Sequence, residues 1–261
     1  MLPNIDNTVV EFINSEAINI SDSPIILVCE HASNFIPDEF NSLGLNEATL
    51  TSHIAWDIGA YEMAKHMSKI LNASLISAKT SRLLYDCNRP PTEPSSIPEK
   101  SEVFEIAGNQ ELSVSEREDR ATQFYYPFYN FVDVTILKAM ADGKKPIIIT
   151  VHTFTPQYFG NTRSVEIGII HDEDSILAEN MLKSCTEENI YNIKINEPYG
   201  PKDGVTHTLK EHAIRHGLLN VMIEVRNDLV DEPLVMARFL SNNIINALKK
   251  VSGYAEQSKP R

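Results

Sequence analysis

The feature that most restricts the fold of this chain is the alternation of short apolar runs with amphipathic stripes. The runs are rich in Ile, Val and Leu, a composition typical of buried strands. We predict strands at residues 25–28, 73–76, 83–86, 147–151, 165–170, 190–195 and 219–223. Between them lie stripes with an apolar spacing of three to four residues, which predict helices. Strands that alternate with helices favour a mixed, mostly parallel sheet with helices on both faces.

Helical spacing covers residues 54–71, 115–140, 205–216 and 233–249. Pro127 should bend or divide the second helix, because proline lacks the backbone N–H that the helix needs. Residues 90–100 contain four prolines and so predict a loop, placed as a flap over a pocket. A length of 261 residues suits one large domain over residues 1–261, with a frayed tail from about residue 253. We therefore expect an α/β fold, a single-domain three-layer αβα sandwich.

The charge of the chain limits its partners. A net charge of −13 comes from 36 acidic and 23 basic side chains, and it opposes nonspecific binding to nucleic acid or to an anionic membrane. Met1–Glu16 lacks the basic start and apolar core of a signal peptide, and three separated cysteines indicate reduced thiols. We expect a cytoplasmic protein with a small-molecule partner. The sequence leaves the oligomeric state open.

Several predicted strands end in polar residues that could meet at one edge of the sheet. His31, Arg89, His152 and Glu224 each follow such a run. In an open α/β sheet, ligands collect outside the carboxyl ends of the strands. Two histidines, a glutamate and an arginine at that edge suit metal-assisted hydrolysis of a substrate that carries a carboxylate.

A catalytic zinc site needs three protein ligands and one open position. His31 and His152 are the first candidates, although each could be a hydrogen-bonded histidine at a strand end. Asp57 is the preferred third ligand, because carboxylate oxygen suits zinc alongside imidazole nitrogen, and we place it on one helix face with His53. It could also simply interact with the helix N-terminus. Glu30 is the rival, but only if the strand has already ended there, since neighbouring strand residues point to opposite faces.

Glu224 is the candidate general base. It closes the apolar run Asn220–Ile223, which implies a buried strand. A carboxylate near an activated water can accept its proton and pass it to the leaving amine. The alternative is a Glu224–Arg226 pair on one strand face, which would contribute little to stability.

Arg82, Asn88 and Arg89 supply donors suited to a substrate carboxylate, and the arginine fork can make two parallel hydrogen bonds. Asp86 could orient one of these donors or support a ligand histidine. Arg163 is a weaker candidate, because a solvent-exposed charge explains it equally well.

At these residues the chain resembles the N-formylglutamate amidohydrolase family. The matching stretches are Glu30–Pro37, His53–Asp57, Ser81–Pro90, His152–Pro156 and Glu224–Arg226. The resemblance implies a metal-dependent hydrolase with a zinc-carboxypeptidase-like α/β fold. It also implies release of formate from an N-formyl amino acid such as N-formyl-L-glutamate. Ser33 and Asn34, which belong to the first stretch, are included among the expected substrate-binding residues.

More distantly, Asp86–Arg89 and Val151–Thr153 look like the substrate clamp and the second metal histidine of aspartoacylases and zinc carboxypeptidases. Those proteins carry a ligand glutamate three residues after the first histidine, where this chain has Asn34. The third ligand therefore stays open between Asp57 and Glu30.

The resulting hypothesis is an amidohydrolase that uses zinc or another divalent metal and acts on a small N-acyl acidic amino acid. Its expected residues are His31, Asp57 and His152 on the metal, Glu224 as base, and Arg82, Asn88, Arg89, Ser33 and Asn34 on the substrate. One alternative is a carboxypeptidase-like peptidase or another N-acyl amino acid deacylase. The other is a metal-free binding protein.

Overall fold

A mixed seven-stranded sheet forms the centre of the computed structural model, which describes residues 8–14 and 25–251. Its strands are β1 Val10–Ile13, β2 Ile25–Cys29, β3 Ser74–Ala78, β4 Ile147–Phe154, β5 Ile167–Ile170, β6 Ile193–Ile195 and β7 Asn220–Arg226. They lie in the order β1–β3–β2–β4–β7–β5–β6. The β1–β3 and β7–β5 pairs are antiparallel and the other four pairs are parallel. The predicted mixed, mostly parallel sheet is confirmed. The tail predicted to fray lies outside the described residues.

Helices cover both faces of the sheet. They are α1 Glu47–Leu50, α2 Ala60–Leu71, α3 Val114–Arg120, α4 Tyr126–Ala141, α5 Ile176–Glu188, α6 His207–His212 and α7 Pro233–Lys250. A π-helical turn at Ala121–Tyr125 joins α3 to α4 just before Pro127, so the long predicted helix is divided there. Two short hairpins pair residues 100–101 with 104–105 and residues 157–158 with 161–162.

The alternation of side chains along each strand divides the core into two layers. Ile25 and Leu27 of β2 pack in one cluster with α2, α5 and α7. Ile26 and Val28 pack in the other cluster with α4. All four side chains are buried, and each stabilises the fold by about 1.5–3 kcal/mol. A sheet buried on both faces gives the expected three-layer αβα sandwich.

The prediction of a strand at residues 83–86 is wrong. Those residues are buried but form a turn and an irregular segment. Their backbone groups bond outside any sheet: the N–H of Asp86 donates to the carbonyl of Ser96, and Nδ2 of Asn109 donates to the carbonyl of Leu83. A short buried apolar run looks the same in a strand and in a loop whose polar groups are satisfied this way. The Asn-Arg pair that follows therefore lies on a loop.

Within residues 8–14 and 25–251, every helix is too short or too polar to cross a membrane.

Gly168 in β5 lies directly against the backbone of Glu197. A Cβ there would collide with the carbonyl oxygen of Glu197 and lie 3.3 Å from the Cβ of Glu224. We expect Gly168→Ala to lower the free energy of unfolding by about 1–3 kcal/mol, because the backbone must shift. Urea denaturation measures this change. Gly200→Ala is the control, since its nearest atoms lie at 3.4 Å; equal stability of the two variants would contradict the prediction.

Candidate active site

A cavity of about 450 Å³ opens at the carboxyl ends of β2, β4 and β7. The three strands are parallel neighbours, so their carboxyl ends lie at one edge of the sheet. The register pairs His152 of β4 with Glu224 of β7, and both side chains line the cavity. His31 follows β2 and lines the same wall. The predicted meeting of these three residues at one edge is what the structure shows.

His31, Asp57 and His152 form a buried triplet whose ligand atoms all lie within 4.8 Å of one another. Nδ1 of His152 is 2.9 Å from Oδ2 of Asp57 and 3.2 Å from Nδ1 of His31. Nδ1 of His31 is 3.3 Å from the same Asp57 oxygen. Two imidazole nitrogens and a carboxylate oxygen are the donor set of a catalytic zinc site. This triplet could hold a metal ion.

The other ring nitrogen of each histidine meets a second carboxylate. Nε2 of His31 is 2.8 Å from Oδ1 of Asp86, and Nε2 of His152 is 3.1 Å from Oε2 of Glu30. The hydrogen bond to Asp86 holds the ring proton of His31 on Nε2 and directs its Nδ1 lone pair inward. The Glu30–His152 contact lies at ion-pair distance without hydrogen-bond geometry, and the negative charge of Glu30 favours a proton on the same nitrogen of His152. Two lone pairs and an anionic oxygen then face one another, an arrangement that a cation stabilises. Glu30 lies on this outer side, so the geometry favours Asp57 as the third ligand.

Asp57 reaches the histidines from a loop. α2 begins at residue 60, so His53 and Asp57 precede the helix and the prediction that they share a helical face is wrong. The N–H of Asp57 donates to the carbonyl of His31, and the N–H of Thr153 donates to Oδ2 of Asp57 at 3.3 Å. Backbone bonds from both histidine-bearing segments therefore position the carboxylate.

The charges of the cluster also suit a divalent cation. Burial opposes ionisation of Asp57, Asp86 and Glu30, yet neighbouring histidines, together with Arg82 beside Asp86, hold the pKa of all three carboxyls below its ordinary value. Three carboxylates and one guanidinium leave a net charge of −2 when the histidines are neutral. Burial lowers the pKa of His152, but Glu30 and Asp57 more than reverse this and raise it well above its ordinary value. Protons on the rings thus compete with a metal, and metal binding would release them.

Glu224 has a different environment from these carboxylates. Its side chain is buried, and Oε2 has no hydrogen-bond partner among the described residues. Burial and the charge of Asp57 raise the pKa of Glu224 to about 7, against the opposing effect of His152. A carboxyl group that titrates near neutral pH can both accept and return a proton there.

The raised pKa of Glu224 should appear in the stability of the metal-free protein. Because the folded state holds this proton more tightly, the contribution to stability is complete below the ordinary pKa of 4.5 and is lost as pH rises through about 7. Glu224→Gln removes the charge. We expect this variant to exceed the wild type in free energy of unfolding by about 3 kcal/mol at pH 8 and by under about 1 kcal/mol at pH 5. Urea denaturation checks this; the same difference at both pH values would contradict it.

Asn88 and Arg89 line the cavity, but much of their hydrogen-bonding capacity is already used. Nδ2 of Asn88 donates to the carbonyl of Val205 at 2.6 Å, and its Oδ1 accepts from the N–H of Thr208 at 3.0 Å. Arg89 donates to the carbonyls of Asn88 and of residues 203 and 204. Both side chains hold the loop before α6 against the cavity. Arg82 reaches the cavity as well, and it donates to carboxylate oxygens of the cluster.

The structure does not bring Ser33 and Asn34 to this cavity. Oγ of Ser33 accepts from the N–H of Phe35 at 3.1 Å, and Nδ2 of Asn34 donates to the carbonyl of Leu50 at 3.0 Å. Ser33 lines a separate hollow beside β1. Both residues fix the loop after His31, which explains their place in a matching stretch without contact to a substrate.

Part of the cavity wall had no clear signal in the sequence. Tyr158 and Tyr199 line it, although neither follows a predicted strand end. The proline-rich flap does reach the cavity, through Ser95 and Pro98, and the hairpin that follows is joined to His53 by a 2.7 Å contact with Glu102. The prolines predict the flap from the sequence. The positions of the two tyrosines depend instead on how the loops fold back towards the cavity.

Known proteins resemble the chain at the level of family and fold. Residues 23–230 match the sequence model of a family described as N-formylglutamate amidohydrolase. A solved gene product of Agrobacterium tumefaciens is 45% identical, with a TM-score of 0.89, and the match covers 93% of this chain and 95% of the other. A solved N-formylglutamate amidohydrolase from Ralstonia eutropha JMP134 is 14% identical, with a TM-score of 0.65 over 91% of this chain and 96% of the other. This second likeness shows the fold alone. Among curated proteins, none matches the chain.

Proposed function

Because the chain belongs to the N-formylglutamate amidohydrolase family, we propose that it hydrolyses the formyl amide of an N-formyl acidic amino acid such as N-formyl-L-glutamate. The observation that supports this most directly is the convergence of His31, Asp57 and His152 beside the buried carboxyl of Glu224. The products would be formate and the free amino acid. Family membership makes the protein an enzyme that hydrolyses amide bonds; the substrate and the metal are our proposal.

The metal would be held by the two Nδ1 atoms of His31 and His152 and a carboxylate oxygen of Asp57. Glu30 and Asp86 would hold the rings from the outer side. A divalent ion bound there supplies Lewis acidity, which polarises the acyl carbonyl and makes a neighbouring water more acidic. Zinc suits this donor set, although other divalent ions accept it.

Glu224 would move the proton. Its unpaired carboxylate oxygen takes a proton from the water that attacks the formyl carbon. When the C–N bond breaks, the same carboxyl gives that proton to the departing nitrogen. Burial raises the pKa of this carboxyl, to about 7 in the metal-free protein, and so makes the carboxylate a stronger base.

The α-carboxylate of the substrate needs a donor beside the metal cluster. Arg82 lies there, with Nη1 3.3 Å from Oδ1 of Asp57 and Nη2 2.9 Å from Oδ2 of Asp86. A guanidinium has five N–H groups, so Arg82 keeps donors for the substrate. Asn88 and Arg89 line the wall beside it and would add their remaining N–H groups.

A substrate panel with metal analysis tests the proposal. The purified protein is incubated with N-formyl-, N-acetyl- and N-succinyl-L-glutamate and with short peptides, and formate and free amine are measured. We expect release of formate by a protein that carries about one divalent ion per chain. Peptide cleavage would indicate a peptidase. Absence of both metal and hydrolysis would indicate a binding protein.

A further inference from the structure

Three aromatic rings hold the guanidinium group of Arg163 in place. Its Cζ lies 4.5 Å from the ring centre of Tyr158, 4.8 Å from that of Tyr199 and 5.3 Å from that of Phe154. All three rings line the catalytic cavity. Guanidinium groups stack well on aromatic faces, and a side chain held in this way loses little further freedom when it binds a ligand. Arg163 is therefore preorganised against three rings that line the cavity.

Among the residues that the structure describes, no carboxylate lies within ion-pair distance of the Arg163 guanidinium. Its guanidinium donates to the carbonyl of Thr155 at 3.4 Å. Arginine has five N–H donors, so most of them remain available. A half-buried guanidinium without an anion is unusual enough to point to a ligand that supplies one.

The arginine and lysine side chains that line the cavity are already paired with groups of the chain. Arg82 bonds Asp57 and Asp86, Arg89 bonds backbone carbonyls, and Lys100 lies 2.8 Å from Glu105. Among the described residues, Arg163 differs from these three in having neither an acidic partner nor a set of backbone carbonyls.

The position of Arg163 matches the length of an acidic side chain. Phe154 follows His152 by two residues on β4 and faces the same side, which places it about 7 Å further along the strand. From the formyl carbon to the side-chain carboxylate carbon, N-formylglutamate spans five bonds, about 6 Å when extended. A formyl group beside the histidines would thus direct its distal carboxylate towards the guanidinium that stacks on Phe154.

We propose that Arg163, held by Phe154, Tyr158 and Tyr199, determines specificity by binding the side-chain carboxylate of the substrate. This inference rests on the proposed function and deepens it. It assigns recognition of the acidic side chain to the hairpin at residues 157–163, and it leaves Arg82, Asn88 and Arg89 to the α-carboxylate and the cavity wall.

The test compares N-formyl-L-glutamate with its neutral isostere N-formyl-L-glutamine. We expect the wild type to favour glutamate. Arg163→Met should lower kcat/KM for glutamate by about 10- to 100-fold, mainly through KM, because one charged hydrogen-bonded contact is lost. The value for glutamine should change by less than about threefold, and this reaction also reports whether the variant is folded. Arg163→Lys should fall between the two, since it keeps the charge but loses the fork.

Arg238→Met is the matched control, because Arg238 is an exposed arginine on α7 that does not line the cavity. It should leave both values unchanged. An equal loss for glutamate and glutamine in Arg163→Met would overturn the inference while the proposed function stands. A wild type inactive on every formyl substrate would overturn the proposed function, and this inference with it.

Discussion

Glu224→Gln should lower kcat for formate release by about 10²- to 10⁴-fold while the protein keeps its metal. Glutamine has the shape of glutamate but cannot accept a proton from water at neutral pH. The residue lies across the β4–β7 register from His152 and outside the metal triplet, so its neutral form should leave the ligands in place. The measurement is kcat on N-formyl-L-glutamate together with metal content by mass spectrometry.

The pH dependence gives a second readout for the same residue. Wild-type kcat should rise with pH as the Glu224 carboxyl becomes the basic carboxylate. The inflection should lie below the value of about 7 that holds without metal, because a nearby divalent cation lowers the pKa of a carboxyl, and it should be absent from the Gln variant. Glu173→Gln serves as control, because Glu173 is exposed and lies outside the cavity. A fully active Gln variant would remove Glu224 from the mechanism.

His152→Ala should weaken metal binding at least about 100-fold and reduce hydrolysis to background. Loss of an outer carboxylate partner alone costs about 10- to 100-fold in metal affinity, and loss of a direct ligand should cost more. Competition with a chromogenic chelator measures the affinity. His66→Ala is the control, since His66 lies on α2 and outside the triplet.

The same titration separates the two candidates for the third ligand. Asp57→Asn should behave like His152→Ala, whereas Glu30→Gln should show only the smaller loss, because Glu30 contacts the outer nitrogen of His152. If Glu30→Gln lost the metal and Asp57→Asn kept it, the two roles would be reversed.

Much of the fold could be predicted because strands buried on both faces are continuous apolar runs. β2 and β4 are of this kind, and both begin at the predicted residue; β2 ends one residue later than predicted, whereas β4 continues three residues further and includes His152. β1 gives no such signal in the sequence, since it is a four-residue edge strand of mostly half-buried residues. The strand prediction at residues 83–86 is wrong for the opposite reason. This segment is as apolar as a strand, but Asn109 and the flap make hydrogen bonds with its backbone groups, so it needs no strand partner.

In the candidate site, too, some residues could be predicted from the sequence and others could not. His31, His152 and Glu224 could be predicted to converge, because parallel strand ends must share an edge. Asp57 could be named, but its position depends on a hydrogen bond that its N–H donates to His31 and on one that it accepts from Thr153, and no local pattern encodes either. The direction of loop side chains was beyond prediction for the same reason, as Ser33 and Asn34 show.

The register between β4 and β7 has a consequence for how such an enzyme can diversify. A ligand histidine and the candidate base stand on adjacent hydrogen-bonded strands, so the backbone ladder sets the gap between their Cα atoms at about 5 Å. The aromatic hairpin and the proline-rich flap, by contrast, are loops that can change without disturbing that ladder. New amide substrates should therefore be obtainable by randomising the tips of the hairpin and the flap, provided that Ser96, whose carbonyl holds Asp86, and the loop that carries Asp57 are kept.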